Sequence, residues 1–306
     1  MGGGSYDYIQ AHKRSVSYST QSQAEVFTQH FKDSQMDIAG KIRESCDSAE
    51  HPCSFPIIIA LDVTGSMTEI PERLIKGVFP DIMQCIAEAG VQHAQVCFLA
   101  FGDHYSDQAP LQVGQFETSD SLLDKWLKLI WLEGRGGGNG GESALLAYYF
   151  ASRHTKCDHI LKRHQKGVLI TISDECTHRA LDRGSVRLIF NDSLETEQIT
   201  VEELIDEVAH DWDIYHYSLR DFSSRVQHAE EHWSNLLKGK GTALWFDDVD
   251  DLKNSIPKEI VKTYSKFFET SKDTGNVATS ASATIDPIDL LNTIDPSGNP
   301  NPHITL

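Results

Sequence analysis

The chain has 306 residues, with 27 Lys and Arg against 45 Asp and Glu and a formal charge of −18. That balance excludes duplex nucleic acid and anionic membrane surfaces as partners, because both require clustered basic side chains. Hydrophobic residues at 40% and charged residues at 24% describe a globular chain with enough core to need no disulfides, as one large domain with extensions or as two small domains.

Six cysteines (Cys46, Cys53, Cys85, Cys97, Cys157, Cys176) show no CxxC pair, a usage that fits a reducing compartment. The start, Met1 to Tyr6, lacks the basic and apolar regions of a signal peptide. No apolar run approaches the roughly 18 residues needed to span a bilayer. A cytoplasmic location is the resulting expectation.

In chain order, residues 1–54 read as a polar N-terminal extension, partly helical, with an amphipathic stretch from about Gln23 to Cys46. Pro56-Ile-Ile-Ile-Ala-Leu61 is a continuous apolar run with β-branched residues, which predicts a strand buried on both faces. Asp62-Val-Thr-Gly-Ser66 follows it, then a helical pattern to Ala89 in which Pro80 predicts a kink or break. Strands are predicted over 95–101 and, as a short edge, 111–116; helices over 121–131 and, after the glycine run Gly134 to Gly141, over 143–154. A buried strand over 167–172, a helix over 201–210, a strand over 214–219, a helix over 224–238, a strand over 242–246 and a helix over 249–268 interrupted at Pro257 complete the core at 55–270. From 271 to 306 the composition is Ser, Thr, Asn, Asp and Pro rich, and a flexible polar tail is expected, with Ile288 to Leu291 as its one apolar knot.

This alternation predicts an α/β class fold: a doubly wound, mostly parallel sheet with one short antiparallel edge strand and helices on both faces. Ligands in such sheets bind beyond the carboxyl ends of the strands. That places Asp62 to Ser66, Asp103 and Asp174, each just after a strand, in one neighbourhood. Asp62, Thr64 and Ser66 put a carboxylate and two hydroxyls at alternate positions of a tight turn, a hard-oxygen set suited to Mg²⁺ or Mn²⁺. Asp174 adds a carboxylate from another strand end, and the glycine loop carrying Asn139, Glu142 and Ser143 a third approach.

At these residues the sequence resembles the von Willebrand factor A-type domains. Asp62-Val-Thr-Gly-Ser66-Met67 is similar to the D-x-T-G-S-M form of the metal ion-dependent adhesion site in intracellular bacterial members, and Asp174 falls on that site's late Asp. The glycine loop has no Thr where the family shows Gly-Gly-Thr. It resembles more closely the Gly-Gly-Gly-Asp loops of domains attached to atypical kinases, with Asn139 at the Asp position. The resemblance implies a non-enzymatic, metal-dependent protein-binding module. Its Mg²⁺, Mn²⁺ or Ca²⁺ would be held by Asp62, Thr64, Ser66, Asp174 and Asn139 or Glu142. A partner Asp or Glu would complete the ion, in systems with AAA-type ATPases, kinases or phosphatases, and with no nucleic acid or membrane involved.

Two alternatives stay open. In a Mg²⁺-dependent phosphatase or phosphotransferase, Asp62 would be the nucleophile and Gly102-Asp103-His-Tyr-Ser-Asp107 the metal motif, although only 40 residues separate Asp62 from Asp103. In a structural assembly subunit, the metal site would be vestigial. His228-Ala-Glu-Glu-His232 fits a zinc-protease pattern on an ordinary amphipathic helix. His154, Cys157, His159, His164, Cys176 and His178 form a His/Cys-rich patch without structural-zinc spacing.

Overall fold

The strand Phe55–Asp62 is buried at every position, and its alternation explains why an unbroken apolar run is needed there. Ile57, Ile59 and Leu61 enter one core, while Ile58 and Ala60 enter the other. Opposite sides of one strand therefore face two separate hydrophobic layers, so neither set of side chains can be polar.

The computed structural model describes residues 4–134, 141–219 and 224–273. The strands in chain order are β1 (Arg43–Ser45), β2 (Phe55–Asp62), β3 (Ala94–Phe101), β4 (Leu111–Val113), β5 (Thr155–Cys157), β6 (Gly167–Ser173), β7 (Ala180–Asp182), β8 (Gln198–Thr200), β9 (Trp212–Leu219) and β10 (Gly241–Phe246). A six-stranded sheet has the order β10-β9-β6-β2-β3-β4; β1 pairs with β5 and β7 with β8 in two separate ribbons. One core layer takes up the helices Phe79–Glu88 and Leu252–Asp273, and the other Leu145–Arg153 and Val201–Asp211.

The expectation of one doubly wound, mostly parallel sheet with one short antiparallel edge strand is corrected: the described residues form three sheets with mixed pairing, and the edge strand expected over 111–116 is β4. β4 runs antiparallel to β3, and β8 antiparallel to β7, whereas β1 and β5 pair in parallel. The physical reason lies in the connections. Only nine residues, 102–110, join β3 to β4, too short a link for the helical crossover that a parallel pair needs. The ribbons β1–β5 and β7–β8 are built from three-residue strands whose sequences carry no periodicity long enough to read.

Local differences have equally local causes. The helix following β2 breaks at Gly77, whose backbone leaves helical values (φ 171°, ψ −43°) beside a wider turn at Leu74–Val78. Pro80 consequently sits in the first turn of Phe79–Glu88, where its missing N–H costs nothing. The last helix runs through Pro257. The stretch 23–46 is no single helix but a short turn at Gln23–Val26 followed by β1, and the longer N-terminal helix is Tyr8–Tyr18.

Tyr18, Val26, Phe27 and Met36 are all buried in the first core layer. Arg14 pairs with Asp120, and the Tyr18 hydroxyl donates to Asp124 at 3.0 Å. The Arg43 side chain, 4% exposed, donates to the carbonyls of Val113 in β4 (2.9 Å) and Gln35 (2.8 Å). Residues 274–306, including Ile288 to Leu291, lie outside the described residues. Among the described residues no helix is long and apolar enough to cross a membrane.

Ile59 is 1% exposed at the middle of β2. Ile59→Ala is expected to lower the unfolding free energy by about 2–5 kcal/mol, read from urea denaturation at unchanged slope.

Candidate functional site

β2 lies between β3 and β6, so the chain leaves its carboxyl end toward one neighbour and returns later on the other side. At that reversal the loops diverge and leave a crevice. Asp62, the last residue of β2, occupies it and is fully buried. Its Oδ1 accepts from the Thr64 N–H (2.9 Å) and the Thr64 hydroxyl (2.6 Å), and its Oδ2 accepts from the Ser173 hydroxyl at the end of β6 (2.6 Å). Ser66 stands exposed in the same turn, and Asp174 is half-buried immediately after β6. Asp174 is near enough for its charge to oppose ionisation of Asp62.

Glu142 arrives from the loop preceding the helix Leu145–Arg153. Main-chain bonds hold it: its N–H donates to Cys176 O (2.8 Å), and the His178 N–H donates to its carbonyl (3.0 Å). The next N–H, of Ser143, donates to Gly102 O (3.0 Å), which ties this loop to the end of β3. Glu142 is 7% exposed, and its Oε2 is buried without a hydrogen-bond partner. Asn139 lies outside the described residues. Ser143 uses its hydroxyl on His104, 2.9 Å from the His104 N–H and 2.6 Å from Nδ1. Of the two described residues of that loop, only Glu142 keeps a free oxygen.

Burial is the largest cause that raises the carboxyls of both Asp62 and Glu142 well above the usual carboxylate range. For Glu142 the charges of Asp62, Asp103, Glu175 and Asp107 add to it. For Asp62 the donated hydrogen bonds oppose the rise without cancelling it. Burial likewise raises Asp107, and burial together with His178 lowers His104 to about 4. The crevice thus gathers carboxylates faster than it supplies positive charge, and an added cation would be strongly attracted there.

The other motifs separate. Asp107 closes a turn by accepting from the Asp103 N–H (2.8 Å), and Asp103 accepts from the Ser106 hydroxyl (2.8 Å). A Cβ at Gly102 would stand 2.2 Å from Asp107 Oδ2, so any other residue there would have to displace the Asp107 carboxylate from its turn. His228 is exposed, while His232 is half-buried and accepts from the Thr177 N–H at 3.4 Å, so the two do not converge. His154 pairs with Asp192 (2.9 Å) and His159 packs edge-on to Phe55, which scatters the His/Cys-rich patch. All six cysteines are free. Sequence reading missed Ser173 on Asp62 and His104 beside Asp103, and it named His178 only within the His/Cys-rich patch. The signal for Ser173 was its place at a strand end next to β2, whereas the histidines become neighbours only through the fold.

No family model matches the chain, and no curated protein matches it. Solved structures similar to it include the pilus adhesin SpaC from Lactobacillus rhamnosus GG in its open conformation, at 9% identity and a TM-score of 0.49, over 75% of this chain and 31% of that one. A mutant of the PilB minor pilin from Streptococcus sanguinis is similar at 11% identity and a TM-score of 0.43, over 73% of this chain and 65% of the pilin. The chain thus spans about a third of the adhesin's length.

These findings correct the family expectation. Membership among von Willebrand factor A-type domains is withdrawn, since no family model and no curated protein matches the chain. The intracellular, partner-bridging function and the cytoplasmic location drawn from it are withdrawn too, and neither the phosphotransferase nor the assembly-subunit alternative gains support. The physical reason is the brevity of the motif: Asp62 and Thr64 bond to each other and close an Asx-type turn, which short Asp and Thr spacings achieve in unrelated chains.

Raised carboxyl pKa values mean that the folded chain holds more protons than the unfolded chain above the ordinary range near 4. In metal-free buffer, the stability that Asp62 and Glu142 contribute is therefore expected to be present in full below about pH 4 and to be lost as pH rises to about 9. Glu142→Gln removes one of these groups and should flatten the fall by about 1 kcal/mol or more, read by urea denaturation across that range.

Proposed function

We propose that this chain is a non-catalytic protein whose strand-end crevice holds a divalent cation, Mg²⁺ or the similar hard ions Mn²⁺ and Ca²⁺. The observation that carries the reading is Glu142: a carboxylate 7% exposed, with one buried oxygen lacking a partner, set among the charges of Asp62, Asp103, Asp107 and Glu175. A buried carboxylate left without a partner costs free energy that a cation would recover. The residue types suit such an ion, because Asp62, Thr64, Ser66, Glu142 and Asp174 offer only oxygen; their three carboxylates do not all come within 4.8 Å of one another, so bound water would complete the contacts.

The ion would supply two positive charges to a region that otherwise repels itself. The chain's own groups then divide the work. Thr64 and Ser173 hold the Asp62 carboxylate in one orientation, and the main-chain bonds of Glu142 to Cys176 and His178 fix the opposite wall. The proposal rests on these side chains, and the role of the similar pilus proteins is not carried over to this one.

Calorimetric titration of chelator-stripped chain with Mn²⁺ should show saturable binding of about one ion, lost in Asp62→Asn and in Glu142→Gln. At a concentration of 100 times Kd, the ion should stabilise the chain by about 2.7 kcal/mol. Binding unchanged in both variants would overturn the proposal.

A further inference from the structure

Beside the Glu142–Ser143 segment, where main-chain bonds tie it to Gly102 and His178, lies a cluster of different chemistry. Asp103 is fully buried just after β3, and its Oδ1 lies 2.9 Å from His178 Nε2. The rings of His104 and His178 stand edge to face, 5.0 Å between centroids. One ligand atom from each of Asp103, His104 and His178 lies within 4.8 Å of the others, the one such group of three among the described residues. An ion with bonds of about 2.0–2.2 Å in tetrahedral geometry sets its ligands roughly 3.3 Å apart. Small side-chain rotations would close the cluster around it.

His104 supplies the second, independent observation. Its Nδ1 lies 2.6 Å from Ser143 Oγ, and its Nε2 is buried without any hydrogen-bond partner. With Nδ1–H donated to the serine hydroxyl, the lone pair of Nε2 is left available. This is the arrangement in which a neighbouring hydroxyl fixes the tautomer of a metal-ligating imidazole. Ser143 is itself fully buried and also accepts from the His104 N–H, so the ring has little freedom to turn away. Two imidazoles and one carboxylate select borderline transition ions over Mg²⁺ or Ca²⁺, which prefer oxygen alone.

We propose that Asp103, His104 and His178 form a second metal site, for Zn²⁺ or a similar transition ion, separate from the oxygen-lined crevice and sharing the Glu142–Ser143 segment as a wall. Three protein ligands leave a coordination position for water or for an incoming donor group. Ser143 is a positioning residue, acting through His104.

The test is a Zn²⁺ titration of the full chain by calorimetry with Mg²⁺ in excess, so that the oxygen-lined site cannot report. One Zn²⁺ per chain is expected, with affinity reduced at least about tenfold in His104→Gln and in His178→Gln. Ser143→Ala should fall by a similar factor, and Asp62→Asn should bind Zn²⁺ as the parent does. Unchanged affinity in both histidine variants, or an equal loss in Asp62→Asn, would overturn the proposal. Should a histidine variant fail to fold, the unaltered chain decides: Zn²⁺ must slow diethyl pyrocarbonate modification of His104 and His178, and no protection of either is the negative result.

Discussion

A carboxylate sealed at the end of a central strand is the constraint around which the rest of this structure is arranged. Asp62 has no water to solvate it, and burying a charge without partners is among the most expensive things a fold can do. Each neighbouring element answers that cost in part. The turn supplies two Thr64 donors, and β6 supplies the Ser173 hydroxyl. Glu142 pulls the other way, since its own charge opposes ionisation next door. The donors favour the ionised form of Asp62, while burial and the neighbouring carboxylates favour the protonated one, and burial is the larger influence.

The strand-end loops are joined to one another mostly through main chain. Glu142 N–H to Cys176 O, His178 N–H to Glu142 O and Ser143 N–H to Gly102 O link three separate connections: the β3–β4 loop, the segment before the helix Leu145–Arg153 and the loop between β6 and β7. Side chains at such a junction can be exchanged without moving the loops that carry them. This is why the oxygen-lined crevice and the histidine cluster can sit so close and still offer different chemistry. Main-chain ties hold the wall, and the residue types around it decide what each site attracts.

Much of the core was legible because burial on two faces leaves no choice of residue type. Ile57 to Leu61 are apolar throughout, and Val168 to Ile172 are apolar but for Thr171, whose hydroxyl is paired with His216, and both runs read as strands for that reason. The Tyr8–Tyr18 helix was hidden because its buried positions are Ala11, Ser15 and Tyr18, while Ile9 and Val16 face solvent, the reverse of an amphipathic signal. The turn chemistry of Asp62 and Thr64 is local and could be read directly. The pairing of Asp103 with His178 joins residues 75 positions apart, and no local pattern encodes it. The family inference failed at the same boundary: a short strand-end motif reports a turn, and kinship needs far more of the chain.

The buried Arg43 has a consequence for solubility. β4 is the outermost strand of the six-stranded sheet, and an outer strand offers unpaired carbonyls on which another chain can pair. Arg43 takes up the Val113 carbonyl of that strand and holds the β1 segment beside it with a positive charge that a docking strand would have to desolvate. The first fifty residues therefore work as an edge guard as well as a source of core, and their removal would leave the β4 edge open as a template for aggregation.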